Sequence, residues 1–468
     1  MSDTETLLTL GNVAEKGSDS DLTVSASNQQ SYEINVRFKV ADIHKTMSKI
    51  KGVVERKATI PVLKNVLIRI TNFSQAELIV SDMDLMASVV VNAESDAKVG
   101  NTKATVNDLK EIGVITVPAL TFYEILSALN KDSDVVITKK CANENGQSKI
   151  TYDITSDSYS INIPYVDVDN FPFVNLDEYD AEFEINASLL ENVLNKTSFA
   201  ISNDETKFFL NGIYLHQKSE AESNVLCFVS TDLHRLAKSE VILADKLSPF
   251  KGIIIPRKAI SELTGLLEKS IGMVNVKISK TKVSFKFDTS ILVTKLIDGE
   301  FPEYQNAIPS IESSEVKVNI NKAKLVNAVN LISIVAPEKT QSIKFSLVAN
   351  DQISLVDLNG EEEGEKKGKK KAKSEDEATR DTSDSENGTF LVSTSSENSA
   401  KAEQAIAMNF EPQDKNLEIN FNAKYVLEVL KVVESDKVDL YFKDSFSAVL
   451  VKDQKDSDSL YIIMPTRG

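Results

Sequence analysis

Val117-Pro-Ala-Leu-Thr-Phe-Tyr-Glu-Ile-Leu126, Ile255-Pro-Arg-Lys-Ala-Ile-Ser-Glu-Leu-Thr264 and Phe421-Asn-Ala-Lys-Tyr-Val-Leu-Glu-Val-Leu430 are three versions of one phrase. Each places a glutamate seven residues after its first apolar residue, at Glu124, Glu262 and Glu428. A second phrase recurs as Phe38-Lys-Val-Ala-Asp, Phe183-Glu-Ile-Asn-Ala and Val318-Asn-Ile-Asn-Lys, and each copy leads into apolar residues at helical spacing. The two phrases alternate, so one domain is written three times. A tripled domain with no shared catalytic residue points to a built shape as the first hypothesis about function.

The length of 468 residues agrees with three domains of about 150 residues, each large enough for its own core. Hydrophobic content of 41% and charged content of 26% are ordinary for a soluble globular protein, and no run of about 18 apolar residues is present to cross a membrane. Residues 1–34 lack the basic start and apolar middle of a signal peptide, so a cytoplasmic location is expected. Cys141 and Cys227 are the only cysteines and lie far apart, which fits inert core thiols in a reducing compartment. The net charge of −17 is acidic even after residues 1–34 and 361–386 are set aside. Taken alone this argues against nucleic acid, since phosphate affinity rests on Lys and Arg. Net charge does not locate charges, however, and an acidic shell with one basic surface passes the same test.

Residues 1–34, rich in Ser, Asp, Thr and Asn, read as a disordered leader. The first domain is expected over 35–180, with a helix presenting Ile43, Met47, Ile50 and Val54, and a second over Leu120–Leu129. The second domain, 181–312, repeats the order, and the third occupies 313–468. The later phrase recurs after 138 residues and then after 166, so the third domain carries an insertion, placed at 360–399. Its run Lys366 to Lys373 is flanked by acids and reads as a solvated mixed-charge loop.

Neither His44, His216 nor His234 has a second histidine or a cysteine near enough in sequence to suggest a metal site. Thr231-Asp232-Leu-His234 invites a nucleophile and base, but no nucleophile elbow accompanies it. Ser81-Asp82-Met-Asp-Leu-Met-Ala87 has the same Ser/Thr-Asp start and alanine end, so a shared turn is the simpler reading. The Asp-x-Asp pairs at Asp82 and Asp84 and at Asp167 and Asp169 read as solvated turns. No Gly-rich phosphate loop occurs, and neither cofactor nor metal is expected.

Phe208-Phe-Leu-Asn-Gly-Ile213, Thr231-Asp-Leu-His-Arg-Leu-Ala237, Ile255-Pro-Arg-Lys258, Lys295-Leu-Ile-Asp-Gly-Glu-Phe-Pro-Glu-Tyr304 and Tyr461-Ile-Ile-Met-Pro-Thr-Arg467 together closely resemble the bacterial DNA polymerase III beta subunits, the sliding clamps. Thr59-Ile-Pro-Val-Leu63, Ser81-Asp82 and Val117-Pro-Ala119 agree in the first domain. The resemblance implies an α+β fold of three clamp-type domains, each with two helices packed on antiparallel sheets, forming half of a ring. Two chains joined head to tail would encircle duplex DNA without reading its sequence, slide along it and tether the replicative polymerase. The clamp loader and other clamp-binding proteins are further implied partners.

For the DNA-facing hole the resemblance implies Lys57, Lys207, Phe208, Phe209, Arg257 and Lys258, to which helix faces add Lys45, Lys49, Lys196, Lys322, Lys324 and Lys431. Leu120 and Thr121 stand where family members often carry basic residues. For a groove that takes partner peptides it implies Leu210, Thr231, Leu233, His234, Arg235, Leu236, Pro302, Asn306, Ala307, Phe446, Ala448, Ile462, Met464, Pro465, Thr466 and Arg467. Leu233 replaces the usual glycine, Asn306 a frequent arginine and Thr466 a frequent methionine, which suggests a reshaped pocket. For the subunit contact it implies Tyr159, Ile161, Ile334 and Val335. Two other readings compete: an enzyme built on the Asp232-Leu-His234 turn, and a repeat scaffold that binds proteins but never DNA.

Overall fold

Helix α1 (Val40–Ile50) forms because Val40, Ile43, Met47 and Ile50 fall three and four residues apart and are wholly buried. Asp42 in its first turn and Lys49 in its last suit the helix dipole. Helix α2 (Val106–Ile112), absent from the sequence expectations, is fixed by a capping box between Thr105 and Asp108. The others are α3 (Ala119–Ala128), α4 (Ala187–Ser198), α5 (Arg257–Leu267), α6 (Lys322–Ser333) and α7 (Ala423–Val432). Helices α6 and α7 start on asparagine caps, Asn321 and Asn422, whose side chains accept the amides of Lys324 and Lys424.

These elements belong to a computed structural model that describes residues 31–466 apart from 145–146, 158, 169–170, 177, 219–222, 248, 350–387, 396–400 and 409–416. The chain divides into two units, one of residues 1–194, 212–226 and 242–299, the other of 195–211, 227–241 and 300–468.

The first unit holds a six-stranded antiparallel sheet in the order Tyr159–Ile163, Gln147–Ser156, Asp134–Glu144, Tyr32–Lys39, Glu94–Val99, Thr102–Lys103. It also holds an eight-stranded one, in the order Ala181–Asn186, Met273–Ile278, Lys282–Phe287, Ser290–Lys295, Leu85–Asn92, Gln75–Ser81, Asn65–Asn72, Val114–Pro118. Its first four strands come from the second repeat and its last four from the first. The joint is the pairing of Ser290–Lys295 with Leu85–Asn92, which sets Leu292 opposite Ala87. Phe171 and Val174, from the segment linking the two repeats, are buried there with Val62, Leu67, Ile79, Met86 and Val293.

In the second unit Ser459–Ile463 pairs with the start of the strand Arg235–Leu247, setting Tyr461 opposite Ala237. Beyond it come Val449–Asp453, Lys437–Phe442 and Val316–Asn321. A four-stranded sheet follows the order Lys401–Met408, Gly388–Ser395, Ser342–Ala349, Leu417–Asn422. Helices α6 and α7 pack on these strands around Leu325, Val329, Phe345, Phe390, Phe421 and Val426.

Strand pairing corrects the alignment of the repeats. Val36 faces Ile137, Phe183 faces Val276 and Val318 faces Leu440, so Val36, not Phe38, is the counterpart of Phe183 and Val318. A slip of two residues preserves the in-and-out alternation of a strand, so the hydrophobic pattern could not reveal it. Two expected boundaries also move. Tyr32–Lys39 is a strand with Ile34 buried, so this strand begins inside the expected leader. Gly388–Ser395, placed inside the insertion, is an inner strand with Phe390 and Val392 wholly buried.

Candidate partner and DNA-binding surfaces

The turn that opens the strand Arg235–Leu247 lies in the second unit and is locked by its own side chains. The Asp232 carboxylate accepts the amides of His234 and Arg235, both at 3.0 Å. Thr231 Oγ1 accepts the Leu233 amide and donates to the Arg235 carbonyl. Leu233 is thereby held at φ 73° and is 46% exposed. The turn at Ser81–Leu85 is its copy, with Asp82 accepting the amides of Asp84 and Leu85 and Met83 at φ 81°. The left-handed region costs an L-residue with a Cβ about 1–2 kcal/mol. Leu233→Gly is therefore expected to raise the urea midpoint by about 1 kcal/mol equivalent. A lowered midpoint would show that the leucine packs more than it strains.

Arg235 is almost fully enclosed. Nε meets Asp232 Oδ2 at 3.2 Å, an η nitrogen donates to the Phe199 carbonyl at 2.8 Å, the other is ion-paired to Glu428, and the plane lies 4.5 Å from the Tyr425 ring. Its charge braces the turn from behind, so Arg235 supports the expected groove rather than lining it. Leu210, Leu236 and Ile462 are likewise core residues, and Thr231 is buried with its hydroxyl engaged. The accessible members of the expected groove are fewer.

Leu233, His234, Asn306 and Phe446 are exposed, Phe446 to 91%, and Pro302, Ala307, Ala448, Met464, Pro465 and Thr466 are half-buried. The Met464 amide donates to the His234 carbonyl at 2.8 Å, and Ala448 precedes Val449, which is paired with Ile463. Ala448, Met464 and His234 thus stand at one end of three neighbouring strands. Pro302 precedes a short 3-10 turn, Tyr304–Ala307, in which Asn306 donates to Glu303. Arg467 lies outside the described residues.

The expected DNA-facing residues are divided between the units. In the first, Lys57 is exposed and Arg257 opens α5. Lys258 is drawn inward, its ammonium 2.6 Å from Asp82 and 2.9 Å from the Val53 carbonyl, so its charge joins the first and second repeats. In the second unit a 3-10 turn capped by Asp204 presents Lys207 and Phe208, the latter 52% exposed with its ring edge-on to Phe209. Of the helix-face lysines, Lys45, Lys324 and Lys431 are exposed. Lys49 caps the end of α5 at the Leu266 carbonyl, and Lys322 caps α7 at the Val433 carbonyl. Lys196 is buried between Asp456 and Glu434, at 2.8 and 2.9 Å, and is no free cation. Burial alone would lower its pKa, but the two carboxylates hold it above the ordinary lysine value.

The enzyme reading fails at Asp232. Both its carboxylate oxygens are taken by the turn amides and Arg235, so it does not orient His234 as a base. Asp82 and Asp84 are engaged by Lys258 and Lys295. Among the described residues no three His, Cys, Asp or Glu side chains gather as metal ligands, and Cys141 and Cys227 are buried and not joined in a disulfide. Among the described residues no helix is long and apolar enough to cross a membrane.

Repeated helix-on-sheet domains, joined by shared sheets and carrying an apolar surface strip in place of a catalytic centre, define the non-catalytic class of sliding clamps. Models of the DNA polymerase III beta subunit match along the chain: the N-terminal domain at residues 34–177, the central domain at 184–303 and the C-terminal domain at 383–467. The chain is 30% identical over 421 residues to the beta sliding clamp of Rickettsia bellii, covering 89% of this chain and 95% of that one. It is 26% identical over 432 residues to that of Caulobacter vibrioides, covering 91% and 98%. Among solved structures, the DnaN sliding clamp of Bartonella birtlesii bound to griselimycin superposes with a TM-score of 0.73 at 26% identity, over 93% of this chain and all of that one. The Caulobacter crescentus clamp, with PEG in its proposed beta-motif tethering region, gives 0.73 at 25% identity over 93% and 99%. The chain belongs to the DNA polymerase III beta subunit family, and it is a DNA polymerase processivity factor with no catalysis of its own.

Proposed function

We propose that two copies of this chain close head to tail into a ring that encircles duplex DNA, with the partner strip receiving short peptides from the replicative polymerase subunit, the clamp loader and other clamp-binding proteins in the cytoplasm. One observation carries this reading. Both internal joints are made the same way, a repeat's last strand pairing with a strand of the repeat before it, in one register: Leu292 opposite Ala87, Tyr461 opposite Ala237. The first repeat's last strand, Tyr159–Ile163, is left at a sheet edge, and so is Lys401–Met408, the third repeat's counterpart of the receiving strand. A chain with one donor edge and one acceptor edge is satisfied by a second copy, and the contact closes on itself after two. Ladder equivalence sets Ile161 opposite the partner's Ala402.

DNA held by topology needs only weak attraction, so an acidic chain is no obstacle and sequence plays no part. We assign that contact to Lys57, Lys207, Phe208, Phe209 and Arg257. The test is retention: loaded onto nicked circular plasmid, the protein should stay through a high-salt wash and be lost once the circle is cut. Release from the intact circle would refute encirclement, and retention on linear DNA would mean ordinary binding.

The strip Leu233, His234, Pro302, Asn306, Ala307, Phe446, Ala448, Met464, Pro465 and Thr466 is assigned to the peptide. Met464→Ala should weaken a polymerase-derived peptide by about 1–2 kcal/mol, as truncating a buried anchor contact does. Calorimetry with unchanged affinity would remove Met464 from the site.

A further inference from the structure

At each internal joint the repeated glutamate of the later helix lies at the end of the preceding repeat's first helix, directly in the first unit and through an arginine in the second. In the first unit the Glu262 carboxylate lies directly over Gly52, where a Cβ would collide with it, beside Lys258 and Asp82. Burial raises the Glu262 pKa above the usual glutamate value. In the second unit Glu428 is ion-paired to Arg235, which also grips the Phe199 carbonyl. Strand ladders and helix faces make Gly52, Phe199 and Ile334 equivalent positions, each two residues past equivalent helix positions Ile50, Thr197 and Ile332. Each internal glutamate is half-buried by this contact.

Glu124 is the third member of the set, and its repeat has no predecessor in the chain. It is exposed on α3. The complementary position is also exposed: Ile334 to 79% and Leu331, one turn earlier on α6, to 56%. Leu331 occupies the place held by Lys49 and Lys196, the lysines that tie the internal joints. That place thus carries an apolar side chain where the internal joints have a lysine.

We propose that Glu124 is a subunit-contact residue, seated on the partner subunit's Ile334 as Glu262 is seated on Gly52. The inference rests on the head-to-tail ring, so the test separates the two. In sedimentation, the wild-type chain should run as a dimer, Glu124→Arg should raise the dissociation constant by about 100-fold, and the same change at exposed Glu312 should leave it unaltered. Circular dichroism of Glu124→Arg should match the wild type, since the side chain is exposed in the single chain. In addition, the double variant Glu124→Cys with Ile334→Cys should give covalent dimer with a short bismaleimide, while each single variant should not. A dimeric wild type with an unaffected Glu124→Arg and no cross-link would overturn the inference alone. A monomeric wild type at micromolar concentration would overturn the ring as well.

Discussion

Ile334→Asp should turn the protein into a monomer without weakening its fold. Ile334 follows α6 with most of its side chain in solvent, so the single chain loses almost no buried apolar surface on substitution. In the ring the aspartate would have to be desolvated at the contact. Closure repeats the contact, so the cost enters twice. About 1.5–2 kcal/mol at each junction amounts to roughly 100- to 1,000-fold in the dissociation constant of the ring. Analytical ultracentrifugation across nanomolar to micromolar concentrations reads this directly, with the urea midpoint of the monomer as the control. An undisturbed dimer would remove Ile334 from the contact.

Arg235→Ala should be the most damaging single substitution in the second unit. It deletes a charge that is 8% exposed and leaves Asp232 and Glu428, 15% and 30% exposed, without their common partner. Breaking such an enclosed arrangement costs about 3–5 kcal/mol, because the remaining carboxylates stay desolvated and unpaired. The turn that carries Leu233 and His234 should loosen with it, so affinity for the proposed peptide should fall although Arg235 is itself enclosed. Adding Glu428→Gln should recover part of the loss, since one uncompensated charge is then gone. Equal urea midpoints for wild type and Arg235→Ala would sink this account of the turn.

The expectations held best where a pattern is local. The helices other than α2 could be read because their apolar residues recur at three and four positions, as in Ile43, Met47 and Ile50, although Val54, the fourth residue of that expected face, lies beyond the end of α1. The matching of Ser81–Leu85 to Thr231–Arg235 held as well, because side chains within five residues build both turns. Strands were lost where the pattern is not their own. Leu85–Asn92 is buried along nearly its whole length and shows no alternation. Lys401–Met408, Lys-Ala-Glu-Gln-Ala-Ile-Ala-Met, consists of good helix formers and is a strand only because Gly388–Ser395 pairs with it.

The partner strip divides in the same manner. The motif positions mark a turn and a strand end, but which side chains face outward depends on pairing across hundreds of residues. Arg235 could have pointed toward a peptide; Glu428, 193 positions further on, turns it inward. Lys196 and Lys258 looked like solvated cations and are ties between repeats, because the acids that hold them belong to another copy of the domain.

The sequence by itself determined that one domain is repeated three times, that family motifs run from about Ile34 to the end apart from the insertion, and that its turns are capped by their own Asp, Ser and Thr residues. Those properties depend on residues close together in the chain. Only the tertiary structure decided which of the described charges are ties between repeats, how the repeats align, and which strands lie at sheet edges. Burial and ion pairing depend on distances in space, and a strand pattern of period two is indifferent to a shift of two residues.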